Sequence, residues 1–124
     1  MPQKPVILVV DDDAPILALM RSLLREFGFE TLTATTGEQA LEIARRDSLA
    51  LVLVDRRMPG MSGDDLVRAL RALPRDARLP VLILSGEPVS ASELHELDAD
   101  GAVLKPFDVP ALIEQIRSHL AAAE

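Results

Sequence analysis

Apolar positions along this 124-residue chain follow two rhythms. In the first they run without interruption: Val6–Val10, Leu51–Val54, Val81–Leu84 and the shorter Ala102–Leu104. Continuous Val, Ile and Leu over so few residues predict strands buried on both faces, as in a parallel sheet. In the second rhythm they recur every three or four residues, which predicts amphipathic helices. A first helix carries Ile16, Met20, Leu23, Leu24 and Phe27 on one face, with Asp13 as cap, Pro15 in its first turn and Gly28 as its stop. Thr31–Ala34 reads as a further strand. Thr36 and Gln39 have the spacing of a capping box for a second helix with Leu41 and Ala44 inward. A third helix holds Leu66, Val67, Leu70 and Leu73 and ends at Pro74. Ser90 and Glu93 cap a short fourth helix with Leu94 and Leu97. Asp108 caps a fifth with Val109, Leu112, Ile113, Ile116 and Leu120. Five strands alternating with five helices, joined by right-handed crossovers, predict one doubly wound α/β domain. The pattern leaves the strand order open.

Each buried run ends on a residue with chemistry. The first leads into Asp11 and Asp12, the second into Asp55, the third into Ser85 and the last into Lys105. In an open parallel sheet the strand C-termini share one edge, where ligands bind. Three carboxylates, a hydroxyl and an ammonium therefore gather there. Adjacent carboxylates repel, which raises at least one pKa unless a cation intervenes. Mg²⁺ suits a few carboxylates with waters and a phosphate oxygen. Ser85 and Lys105 are suited to hold phosphoryl oxygens by hydrogen bond and charge. Taken singly, each residue has a plainer reading: Asp13 is a helix cap, and Ser85 before Gly86 is a turn residue.

Composition narrows the function. The formal net charge is −7, which argues against direct contact with nucleic acid or an anionic membrane surface. There is no cysteine, so disulfide and thiol chemistry are excluded. No apolar stretch approaches the ~20 residues of a membrane span, and a cytoplasmic location is expected. The two histidines, His95 and His119, fall on helices without a partner motif and read as exposed helix residues. Met58 and Met61 read as loop and core fillers.

In this order the pieces identify a family. Val9-Val10-Asp11-Asp12, Val54-Asp55-x-x-Met58-Pro59-Gly60-Met61-Ser62-Gly63, Leu84-Ser85-Gly86 and Leu104-Lys105-Pro106-Phe107 together resemble the receiver domain of two-component response regulators. The resemblance covers residues 5–122 and sets the expectation of one receiver domain over 1–124. It implies a flavodoxin-like sheet of order 2-1-3-4-5, a cis Lys105–Pro106 peptide and Asp55 as phosphoacceptor. It also implies a Mg²⁺ or Mn²⁺ site. Asp12 and Asp55 are then direct ligands, Asp11 acts mainly through water, and the Arg57 backbone carbonyl completes the protein ligands. The implied partners are a histidine kinase or histidine phosphotransfer protein and a downstream effector reading the face of helix 4, strand 5 and helix 5. The implied state is a monomer or a phosphorylation-linked dimer, and the domain is a self-modifying switch, not a turnover enzyme. A stand-alone receiver and a piece of a longer regulator or hybrid kinase both fit.

The chain departs from the family pattern at two places. The family usually places an aromatic residue three positions before the lysine, and here that residue is Ala102. The aromatic swing is thus absent, and the expectation is a signal carried by the Ser85–Ser90 loop and helix 4, or a weakened one. Arg56 and Arg57 directly follow the acceptor. Arg56 reads as a solvated loop residue. Arg57 sits where the family varies a residue that tunes phosphoryl lifetime, with Glu87 at the companion position, so an Arg57–Glu87 ion pair across the mouth of the site is expected. Two rivals compete. A receiver fold used as a non-switching scaffold draws support from Ala102. An Asp-nucleophile phosphatase would need a general acid two residues after the nucleophile, where Arg57 stands.

Overall fold

A computed structural model describes residues 3–75 and 77–123. The remaining positions of the 1–124 span, including the first two residues and the last, lie outside the described residues. The elements are β1 (Val6–Val10), α1 (Ala14–Glu26), β2 (Glu30–Ala34), α2 (Gly37–Arg46), β3 (Leu51–Asp55), α3 (Gly63–Ala72), β4 (Val81–Ser85), α4 (Ala91–Leu97), β5 (Gly101–Leu104) and α5 (Val109–Ala123). All strand pairs are parallel, in the order β2-β1-β3-β4-β5. Five parallel strands and five helices thus form the doubly wound sheet that the hydrophobic rhythm predicts, in the order the resemblance implies.

Side-chain alternation divides the interior in two. Leu8, Val10, Val52, Val54, Val81 and Ile83 point to one face and pack with α2 and α3 through Ala40, Leu41, Ala44, Leu66, Val67 and Leu70. Ile7, Val9, Leu51, Leu53, Leu82 and Leu84 point to the other and pack with α1 and α5 through Leu17, Met20, Leu24, Leu112, Ile113 and Ile116. β3 and β4 are buried along their whole length, which explains why their sequences do not alternate. With few aromatic residues available, both layers are filled by aliphatic side chains.

Most helix boundaries follow their caps. The Asp13 side chain accepts from Ile16 N, Ser62 from Asp65 N, and Ser90 with Glu93 makes a complete capping box. Three expectations need correction. Thr36 accepts from Gln39 N, but the Gln39 side chain reaches Thr35 N at 2.8 Å instead of the Thr36 amide. The reciprocal half of that box is therefore displaced by one residue. Phe27 is not on the inward face of α1: it is the residue after the helix end, 38% exposed, with the Arg117 guanidinium 5.8 Å from its ring centroid. The face turns outward there because Gly28, at φ +90°, redirects the chain so that Phe29 enters the core instead. The second strand begins at Glu30, one residue before the expected Thr31, because Val6 pairs with Glu30.

Candidate functional site

The register of the sheet brings the strand ends together. Val10 lies opposite Val54 and Ala34, Asp55 opposite Leu84, and Ser85 opposite Leu104. Asp11, Asp55, Ser85 and Lys105 therefore project at one edge. Asp11 and Asp55 are buried and Asp12 is exposed at the rim, with carboxylate oxygens from all three within 4.8 Å of one another. Asp11 is held in place by its own loop: Asp13 N donates to its Oδ1 at 3.0 Å, and its amide donates to Ala34 O.

The Lys105 ammonium bridges the two buried acids, at 3.1 Å from Asp55 Oδ1 and 3.2 Å from Asp11 Oδ2. Lys105 directly follows the last residue of β5, its amide donates to Ser85 O, and the Lys105–Pro106 peptide is cis. Burial pushes the Asp55 carboxyl above the ordinary carboxylate value and the nearby Asp11 charge adds to this, while Lys105 and the Arg57 amide oppose it. Burial works against the Lys105 ammonium, yet its hydrogen bonds to Asp55 and Asp11 outweigh that and hold its pKa above the ordinary lysine value. Asp55 is thus under electrostatic strain that one ammonium only partly relieves. An all-oxygen cluster of this kind suits a small hard cation.

Ser85 is buried beside this group, but its hydroxyl is engaged elsewhere. It donates to Glu87 O at 2.7 Å and accepts from Glu87 N at 3.1 Å. The Glu87 side chain meets Arg57 at 3.7 Å, with both side chains about four-fifths exposed. The expected pair is present, and its exposure leaves it little stabilising value. Ala102 packs at the edge of the α2 and α3 layer.

Two sequence readings are overturned. Arg56 is no solvated loop residue. Its Nε donates to Asp64 Oδ1 at 3.1 Å and its Nη1 to Glu93 Oε2 at 2.9 Å, and the side chain is only 26% exposed. His119 is not exposed: its Nδ1 lies 2.9 Å from Gln115 O and its Nε2 3.2 Å from Asp100 O. These two carbonyls hold the ring against the start of β5, where a Cβ on Gly101 would lie 3.4 Å from it. His95 is exposed, Met58 is a core residue and Met61 packs against that core.

Sequence reasoning counted Gly63 in the motif but gave it no role. A Cβ there would lie 2.6 Å from Arg56 Cα and closer still to Asp55 O, so α3 starts in direct contact with the backbone of Asp55 and Arg56.

Comparison with known proteins gives one consistent result. The family described as "Response regulator receiver domain" matches residues 7–117. A "Probable transcriptional regulator ycf27" from Porphyra purpurea is 37% identical over 124 residues, covering 98% of this chain and 50% of its own length. The chain spans about half the length of the curated relatives it matches. Among solved structures, the Vibrio cholerae chemotaxis protein CheY4 superposes with a TM-score of 0.87 at 28% identity, covering 93% of this chain and 98% of that one. The Thermotoga maritima response regulator TrrA, in complex with Mg(2+)-BeF, superposes with a TM-score of 0.82 at 33% identity, covering 93% and 98%.

Proposed function

This chain belongs to the receiver domains of response regulators, and from that premise we propose that Asp55 accepts a phosphoryl group from a phosphohistidine on a histidine kinase or histidine phosphotransfer protein. The observation that carries the reading is the Lys105 ammonium bridging Asp55 and Asp11 inside a three-carboxylate cluster.

An Asp55 carboxylate oxygen attacks phosphorus in line with the donor imidazole. The new O–P bond gives an acyl phosphate, the P–N bond breaks, and its electron pair returns to the imidazole ring. Lys105 then follows the charge, exchanging its contact with Asp55 for one with a phosphoryl oxygen. Ser85 must release Glu87 O before its hydroxyl can donate to that group. Asp11, Asp12, Asp55 and the Arg57 carbonyl are the groups that would hold Mg²⁺ or Mn²⁺, which supplies positive charge to the transferring oxygens. TrrA, the relative with Mg(2+)-BeF, supports that assignment.

The modified state is read at the face of α4, β5 and α5 by a downstream effector; the match to the probable transcriptional regulator ycf27 covers 50% of that protein. Loss of the phosphoryl group is autodephosphorylation, and the exposed Arg57–Glu87 pair restricts the attacking water. No helix among the described residues is long and apolar enough to cross a membrane. Ala102 favours a second reading, a receiver-fold scaffold that binds partners without switching.

Intact-protein mass after incubation with Mg²⁺ and a small acyl phosphate tests the proposal. The expected result is a gain of one phosphoryl group in the wild type and none in Asp55→Asn. No gain with the small donor and with phosphorylated histidine donors alike would transfer the assignment to the scaffold.

A further inference from the structure

One guanidinium next to the acceptor joins two helix starts. Arg56 Nε and Nη2 meet both carboxylate oxygens of Asp64, in the first turn of α3, at 3.1 and 3.4 Å. Its Nη1 meets Glu93 Oε2, in the first turn of α4, at 2.9 Å. The other Glu93 oxygen accepts from Ser90 N at 3.2 Å and closes the α4 capping box. The Arg56 backbone is itself fixed, its amide donating to Leu84 O and its carbonyl accepting from Gly63 N. Between these anchors runs the Ser85–Ser90 loop, pinned at its start by the Ser85–Glu87 hydrogen bonds.

We infer that Arg56 is a positioning residue: it latches the first turn of α4 to that of α3, and so sets how readily the Ser85–Ser90 loop rearranges when Asp55 is modified. This rests on the proposed phosphoacceptor role. Moving the Ser85 hydroxyl off Glu87 O displaces a loop that ends at Ser90, the N-cap of α4. Ser90 is tied to Glu93, and Glu93 to Arg56, so the displacement works against a charge-assisted hydrogen bond. With alanine at position 102 there is no aromatic side chain to couple the site to this face. The Arg56–Glu93 bond joins residues 37 apart and crosses from the acceptor loop to the output helix.

Hydrogen exchange of the α4 amides in the intact, unmodified chain tests the latch. Glu93→Gln keeps an acceptor for the cap but removes the charge facing Arg56. Arg56→Gln removes the other partner. Each variant is expected to raise α4 exchange about three- to fivefold, as for a part-exposed charge pair. The double variant should show no more than Arg56→Gln alone, because the contact to α4 is already lost there, and Arg56→Lys should recover part of the protection. Beryllofluoride with Mg²⁺ should bind the two single variants more tightly by a similar factor.

Unchanged α4 exchange, additive effects in the double variant, a rise shared equally by the sheet amides, or unchanged beryllofluoride affinity beside faster α4 exchange would overturn the inference. Should the wild type fail to bind beryllofluoride, the phosphoacceptor reading falls with the loop-setting half of this inference, while the exchange data still decide whether Arg56 holds α4.

Discussion

A carboxylate that attacks phosphorus must be ionised, yet it must also be shielded from water to be effective. In its proposed role Asp55 meets both demands through its neighbours: burial and Asp11 raise its pKa, and the Lys105 ammonium at 3.1 Å draws it back. The strand position makes this possible, since a side chain at the last residue of a buried strand is fixed by the sheet and opens onto its edge. Gly63 is the backbone counterpart of that precision. Gly63→Ala forces a methyl group against the Asp55 carbonyl and Arg56 Cα, neither of which is the flexible end of a side chain. We expect a loss of about 1–3 kcal/mol in a urea melt, as for overpacking elsewhere, together with slower phosphoryl uptake. The acids, Ser85 and Lys105 were legible in the sequence because each directly follows a run of buried residues. Gly63 was not, because its signal is a contact with a strand that ends eight positions earlier.

Between elements, charge holds what apolar packing does not reach. At the start of β5 the Asp100 carboxylate accepts from Val81 N at 2.8 Å, from Arg71 Nη2 at 2.8 Å and from Arg78 Nε at 3.0 Å. Arg71 and Arg78 also reach Asp98 O, and Asp98 closes α4 at φ +60°. A single side chain thus ties α3, the loop before β4, and the turn between α4 and β5. Asp100→Ala removes three acceptor contacts, leaving Arg71 on the Leu79 and Asp98 carbonyls and Arg78 on Asp98. The expected cost is roughly 2–4 kcal/mol in equilibrium denaturation, with the earliest exchange in α4 and β5. Helix and strand identities could be read from period and caps. These charge contacts could not, since Arg71 and Asp100 are 29 residues apart and either reads alone as an exposed polar residue. The same separation concealed the role of Arg56.

For the molecule as a whole, the site is a local expense carried by two good cores. Because the Asp55 pKa is raised on folding, ionising it disfavours the folded chain; the penalty is absent at pH values below that of a free aspartate and grows as pH rises through the folded value. Asp55→Asn removes it. In chelator the variant should melt above the wild type at pH 7, with the margin shrinking toward pH 4. Glu93 and Asp98, whose pKa values fall through their hydrogen bonds to Arg56 and Arg78, act in the opposite sense in both proteins and cancel from the comparison. Adding Mg²⁺ at about a hundredfold over its dissociation constant should stabilise the wild type by about 2.7 kcal/mol and the variant by less. Equal melting of the two at pH 7 in chelator would contradict the strain. Fold class was legible because four apolar runs and the Thr31–Ala34 strand alternate with five periodic segments. Strand order was not, because hydrophobic rhythm carries no information on which strand lies beside which; only the family resemblance supplied it.

The division of the interior by the sheet has one further consequence. Val9 and Val10, adjacent in sequence, belong to different cores, as do Leu53 and Val54. A change of side-chain volume under α1 or α5 is therefore screened from α2 and α3 by a wall of hydrogen-bonded backbone. The two sides of the molecule are free to drift independently in sequence. What they must keep in common is the row of strand ends, where the backbone of both layers runs out into the same few polar side chains.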